Sequence, residues 1–117
     1  MSLSKEEFLT PLARTVESVP LPVKGGSVFI RKLVVDEQIE LESECDALDD
    51  GDTKGFTAVR LAYYLSTESG EAFLTIGEMR AAIGKLDPND VAAIMKKGLE
   101  LNLDPTKKKV EEAKGNS

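Results

Sequence analysis

Twenty-one carboxylates, one thiol and no imidazole are the groups from which any chemistry in this 117-residue chain would have to be built. Without histidine a Ser-His or Cys-His nucleophile pair cannot form, and the commonest zinc ligand is missing. Cys45 stands among Glu42, Glu44 and Asp46, whose negative charges are the wrong surroundings for a thiolate nucleophile, so it reads as a packed thiol. Carboxylate pairs remain, but acids on Glu-rich helices normally face water. Nothing in their spacing places two of them in the contrasting environments that acid–base catalysis needs. The expectation is a protein that is not an enzyme and uses no cofactor.

The loop Asp46-Ala47-Leu48-Asp49-Asp50-Gly51-Asp52 has the oxygen-rich look of a calcium turn. Its spacing fails. With Gly51 as the sixth position, Leu48 falls at the third and Thr57 at the twelfth, where an EF-hand needs an oxygen ligand and a bidentate Glu. No metal ligands are therefore assigned. Gly25-Gly26 lacks the Lys-Ser/Thr of a phosphate loop and the third glycine of a dinucleotide fingerprint, leaving a hairpin turn.

The net charge of -6, from 21 acidic and 15 basic side chains, repels phosphate backbones, and the run Lys107-Lys108-Lys109 is too short and too close to Glu111 and Glu112 to track one. No nucleic-acid partner is expected. Nor is a membrane partner, since no apolar run approaches the roughly 18 residues of a span and the N-terminus has no charged region leading into an apolar one. A lone cysteine precludes an internal disulfide and points to a reducing compartment. With 41% apolar and 31% charged residues the chain should fold as one domain, with a core of aliphatic side chains because aromatics are few and Trp is absent.

The elements that would position these residues read as α+β and mostly helical: an N-terminal β-hairpin, about four short helices and a disordered C-terminal tail. Residues 1–13 form an arm in which Ser4-Lys5-Glu6-Glu7 is a capping box and Pro11 halts the helix, with Phe8, Leu9 and Leu12 apolar. Residues 14–103 form one compact domain. Its hairpin, 14–33, pairs a Pro-punctuated strand ending at Val23 with Ser27–Leu33 across the Gly-Gly turn. Helices are expected at about 36–48 with Asp36 as N-cap, 57–65 with Leu65 closing its apolar face, 76–86 behind the capping box Thr75-Ile76-Gly77-Glu78, and 88–101 behind Asp87-Pro88. Residues 104–117 are a flexible charged tail.

The order of these features carries a resemblance. A Pro-punctuated strand, a Gly-Gly turn, the run Val28-Phe29-Ile30-Arg31-Lys32-Leu33 and an acid-rich helix from Asp36 come first. Arg60 to Leu65, a polar turn with Ser69-Gly70-Glu71, Phe73 to Thr75 opening a helix, and a last helix closing with Leu99-Glu100-Leu101-Asn102 follow. Over roughly residues 14–103 this resembles the tail assembly chaperones of long-tailed, siphovirus-type bacteriophages. The resemblance implies a late protein of the host bacterial cytoplasm that associates with the tape measure protein, helps recruit major tail tube subunits and is not expected in the mature virion. In many such phages a frameshift near the end of the frame makes a longer product that joins the chaperone to a tube-binding domain, and a loose tail would suit that junction. Two other classes fit the composition: a virion component such as a head-tail connector or tail-completion protein, and an acidic inhibitor or regulatory protein.

A chaperone for a long, partly apolar helical client needs acidic faces for solubility and apolar grooves or a pairable strand edge. The client-binding candidates are Met79, Ile83, Met95 and Leu99 on the last two helices, with core packing as the competing reading. Self-association into a homo-oligomer is expected through the hairpin, at Val19, Leu21, Val28 and Ile30, or through the arm.

Overall fold

The computed structural model describes residues 2–102; the expected tail, 104–117, lies outside them. The fold is α+β and mostly helical, with the hairpin at its N-terminal end. Strand β1, Val16–Pro20, pairs antiparallel with β2, Ser27–Arg31, in a register running from Val16 opposite Arg31 to Pro20 opposite Ser27. The turn between them needs Gly25 and Gly26, whose φ values of 83° and 74° lie where a side chain is strained. Ahead of the hairpin, α1, Lys5–Leu9, starts at the Ser4 capping box: the Ser4 hydroxyl accepts from Glu7 N at 3.1 Å, and Ser4 N donates to the Glu7 carboxylate at 3.2 Å.

Two elements depart from expectation. Leu65 does not close a helix. The helix α3, Thr53–Tyr64, stops one residue earlier, and Leu65 turns extended to begin β3, Leu65–Ser66, which adds antiparallel to the far edge of β2. The sheet is therefore three-stranded, ordered β1-β2-β3, and β2 is its centre. The start of α3 also lies four residues before Thr57. Asp52, the last residue of the loop that fails the calcium spacing, is its N-cap and accepts from Gly55 N at 2.9 Å. The helix before it, α2, Val35–Asp46, has Val34 and not Asp36 at its N-cap, so Asp36 sits inside the first turn, where its charge favours the positive helix end.

The Thr75 box opens α4, Ile76–Ala82, which tightens into a 3-10 turn at Ile83–Lys85. Pro88 starts α5, Pro88–Asn102, after Asp87, whose carboxylate accepts from Asn89 N at 2.8 Å. Helix α3 is the spine: Ala58, Leu61, Ala62 and Tyr64 are buried and join Ile30, Leu33, Leu65, Met79 and Ile94 in a single core. Tyr64 packs on Gly98 of α5, so close that a Cβ there would fall 2.7 Å from the ring Cγ.

Two side-chain staples hold the sheet to α5. Asp90, buried near the start of that helix, accepts from Val23 N at 2.8 Å and Lys24 N at 3.0 Å, fastening the hairpin turn. At the other end Asn102 accepts from Leu33 N at 2.7 Å and donates to the Gly98 carbonyl at 2.9 Å. Asp90→Ala leaves both turn amides without their acceptor. The expected outcome is a loss of roughly 1–3 kcal/mol in urea unfolding, with faster hydrogen exchange at Val23 and Lys24. Ser66 is the opposite case: its hydroxyl is buried and has no hydrogen-bond partner among the described residues. Ser66→Ala should raise stability by up to about 1 kcal/mol in the same assay, because it removes an unpaired polar group.

Candidate interaction surfaces

The alternation of β1 and β2 decides where the expected self-association residues point. Cross-strand partners share a face, so Val19 and Val28 stand together, with Ile30 two residues on and Leu65 opposite it. That face packs on the helices. Val19 and Ile30 are buried core residues, and Leu21 and Val28 pack partly buried against the same core. None of the four is an open surface in this conformation. What β1 does present is its edge. Thr15 and Leu21 bond toward the β2 side, so the intervening Val16, Ser18 and Pro20 turn their backbone outward, and Pro20 has no N–H to offer.

The four client candidates separate in the same way. Met79 is buried, Ile83 and Met95 are partly buried against the core, and Leu99 is 40% exposed. A helical period of 3.6 identified residues sharing a face, and α4 and α5 turn Met79, Ile83 and Met95 of that face inward while Leu99 stays open at its border. Ile83 also borders a surface cleft of about 210 Å³ with Asp52, Lys54, Gly55 and Arg80. This is below the roughly 300 Å³ at which small-molecule sites begin.

The opposite face of the sheet carries the most buried charge. Arg31 donates from Nε to the Tyr63 carbonyl at 2.8 Å and from Nη1 to the Gly70 carbonyl at 3.1 Å, and its Nη1 lies 3.2 Å from Glu37 Oε2. Arg14 Nη1 reaches both oxygens of the same carboxylate at 2.9 and 3.0 Å, and Glu37 also accepts from Val34 N at 3.0 Å. Burial pushes the Arg31 guanidinium below its ordinary value, with Glu37 opposing. Burial acts upward on Glu37, but the Val34 hydrogen bond and the two arginines outweigh it and hold the carboxyl below the usual range. Burial likewise raises both Tyr63 and Tyr64. The cluster joins β2, α2, the Gly70 turn and the lead into β1. It is a clamp whose groups are already saturated with one another, and it was missed in the sequence because a charged residue in a strand reads as solvent-facing.

The apolar side chains that do face outward fall elsewhere. No residue of α1 is buried, and Leu3, Phe8, Leu9 and Leu12 are exposed, Leu12 at 94%. A five-residue helix is far too short to persist alone in water, and here its Ser4 capping box holds it. Val34, Val35 and Ile39 are exposed around the start of α2. The acids Asp36, Glu40, Glu42, Glu44 and Asp46 make no salt bridge among the described residues. Among those residues no three His, Cys, Asp or Glu side chains group as metal ligands, and no helix is long and apolar enough to cross a membrane.

This arrangement of a three-stranded sheet on a spine helix, with α4 and α5 packed around it, has a counterpart among solved structures. The tail assembly chaperone of bacteriophage HK97 superposes with a TM-score of 0.59, over 86% of this chain and 93% of that one, at 14% sequence identity. The chain has the fold of a phage tail assembly chaperone. At this identity the likeness is one of fold, and it agrees with the order of features that carried the resemblance in the sequence. No protein-family model matches the chain, and no curated protein does.

Proposed function

We propose that this protein is a tail assembly chaperone that binds the tape measure protein and helps bring major tail tube subunits to it in the host bacterial cytoplasm, leaving before the virion is complete. The observation that carries the proposal is a shared fold spanning nearly the whole of the HK97 chaperone. The surface chemistry supports it. An acidic molecule with an uncovered apolar arm is suited to keeping a long apolar client in solution, because its own charge opposes aggregation while the arm supplies burial.

The client contact is assigned to the arm, with Leu99 the member of the original four that also stands open. Phe8 and Leu12 are its largest exposed anchors. Co-expression with the tape measure protein tests the reading. The wild-type chain should raise recovery of soluble tape measure protein, and Phe8→Ser with Leu12→Ser should abolish the gain without altering the melting temperature of the chaperone. Equal recovery with and without the wild-type chain would refute the function. A gain that survives the double substitution would refute the arm. Purified particles should lack the protein, whereas a connector or completion protein would stay with them.

A further inference from the structure

The last helix ends beside an uncovered face of α2. Asn102, the final residue of α5, accepts from Leu33 N at 2.7 Å and donates to the Arg31 carbonyl at 3.3 Å, so the chain leaves α5 next to Val34. From there α2 presents Val35, Ile39, Glu42 and Asp46 at intervals of four, three and four residues, on one side of the helix. Val35 and Ile39 are 69% and 59% exposed, and Glu42 and Asp46 are exposed with no salt bridge among the described residues. The face is apolar in its first half and acidic in its second. Helix α2 contains no lysine or arginine, and its last turn, where the macrodipole favours a cation, carries Asp46 instead.

The residues that follow Asn102 have the complementary order. Leu103 and Pro105 come first and Lys107 and Lys109 next, and in an extended segment, whose side chains alternate, these four share one side. Pro105 favours extension, because it cannot continue a helix and it keeps the backbone of Asp104 out of the helical region. Residues 103–109 span about 22 Å when extended, against about 18 Å for the 12 residues of α2. Laid along α2 from its start, the segment sets Leu103 by Val35, Pro105 by Ile39, Lys107 by Glu42 and Lys109 by Asp46. Attachment at the Val34 end allows only this direction.

We propose that the C-terminal segment 103–109 docks along α2 of its own chain, as a strap that covers Val35 and Ile39 and neutralises Glu42 and Asp46. Exposed ion pairs and two small apolar contacts are individually weak. The covalent link makes them sufficient, because it holds the segment at an effective concentration of about millimolar over the face it covers. Charge sets the register, so the strap loosens as salt rises, and any partner that uses this face of α2 must displace it. The contact lies within one chain and does not involve the tape measure protein, so a failure to bind that client leaves it intact.

Paramagnetic broadening of backbone amide signals in the whole chain is the measurement, with circular dichroism to verify that each variant is folded. Cys45→Ala removes the native thiol, and Thr106→Cys carries a nitroxide in the middle of the segment, on the side turned away from α2. Amides from Ile39 to Asp46 should broaden strongly. Those of the hairpin turn, which Asp90 holds at the far end of α5, should not. Lys107→Glu with Lys109→Glu sets like charges against α2 and should abolish the broadening there, and adding Glu42→Lys with Asp46→Lys should restore it. An α2 that is not broadened by the nitroxide in the otherwise unchanged chain overturns the proposal. So does broadening that charge reversal leaves in place, or that the charge exchange fails to bring back. In a control, spin-labelled protein without isotope is mixed with isotope-labelled protein without the nitroxide. Broadening of α2 in that mixture would make a second copy the occupant and likewise overturn the strap.

Discussion

Gly98→Ala is expected to destabilise the fold by roughly 1–3 kcal/mol, against the gain of nearly 1 kcal/mol that alanine normally brings to a helix interior. The reason is Tyr64. Its ring covers Gly98 so closely that a Cβ would lie 2.7 Å from Cγ and 2.8 Å from Cε2, distances no real methyl adopts. Tyr64 is buried in the spine helix, so it cannot swing away without opening a cavity in the core or shifting α5 off α3. Gly77→Ala provides the contrast. Gly77 lies in the first turn of α4, and a Cβ there meets nothing closer than Thr75 Oγ1 at 3.8 Å, so the propensity gain should appear undiminished. Urea midpoints for the two variants should move in opposite directions. If Gly98→Ala stabilises as Gly77→Ala does, the close packing of α3 on α5 is wrong.

The second large effect is expected at Glu37. Its carboxylate is the anion that faces both Arg31, whose side chain is only 7% exposed, and Arg14. Glu37→Gln keeps an oxygen for the Val34 amide but leaves a buried guanidinium without its counter-charge, which costs about 3–5 kcal/mol when one partner of a buried pair is removed. That is a large share of the roughly 5–15 kcal/mol that holds a domain together. Replacing Arg31 and Glu37 together by methionine should cost less than the single change, because the buried guanidinium goes with its carboxylate and only Arg14, whose side chain reaches water, loses its partner. The pH dependence follows from the direction of the shift. Glu37 is held below its ordinary value in the folded state, so the protons it releases favour folding above the unfolded glutamate value of about 4.3, and that contribution is lost as pH falls through the folded value. Wild type should therefore lose stability on acidification faster than Glu37→Gln, with the two urea midpoints converging toward low pH. Parallel curves would mean that Glu37 is not the clamp.

Several of these features were written locally in the chain. The Ser4 and Thr75 capping boxes, Asp87 ahead of Pro88, and the Gly25-Gly26 turn each depend on residues within one helical turn of one another, so spacing suffices to find them. Leu65 was misplaced for the same reason that these were found. It continues the spacing of Ala58, Leu61 and Ala62, which locally is a helix, and only the open edge of β2, some 35 residues upstream, recruits it into a strand. Asp52 was hidden by its neighbours Asp49 and Asp50, because a cap is distinguished from a solvated acid only by which way the next turn runs.

The site candidates show where periodicity stops. Val19 with Val28 and Ile30, and Met79 with Ile83, do share faces, yet a period of 2 or 3.6 cannot say whether a face meets the core or a partner, and here the core received them. Buried polar residues were the least legible. Asp90 bonds the backbone 66 and 67 residues away and Arg14 reaches Glu37 across 23, and nothing in either local sequence separates them from ordinary surface charge.

By itself the sequence determined the side chains on hand, no imidazole, one thiol among acids and a net negative charge, together with the caps and turns that bound most elements, because composition and short-range hydrogen bonding need no third dimension. The tertiary structure decided the third strand, the inward fate of the sheet and helix faces, the Arg31 clamp, and the exposure of the arm and of the α2 face. Those depend on which apolar surface is covered first when only one core can form, and that competition is settled among all the elements at once.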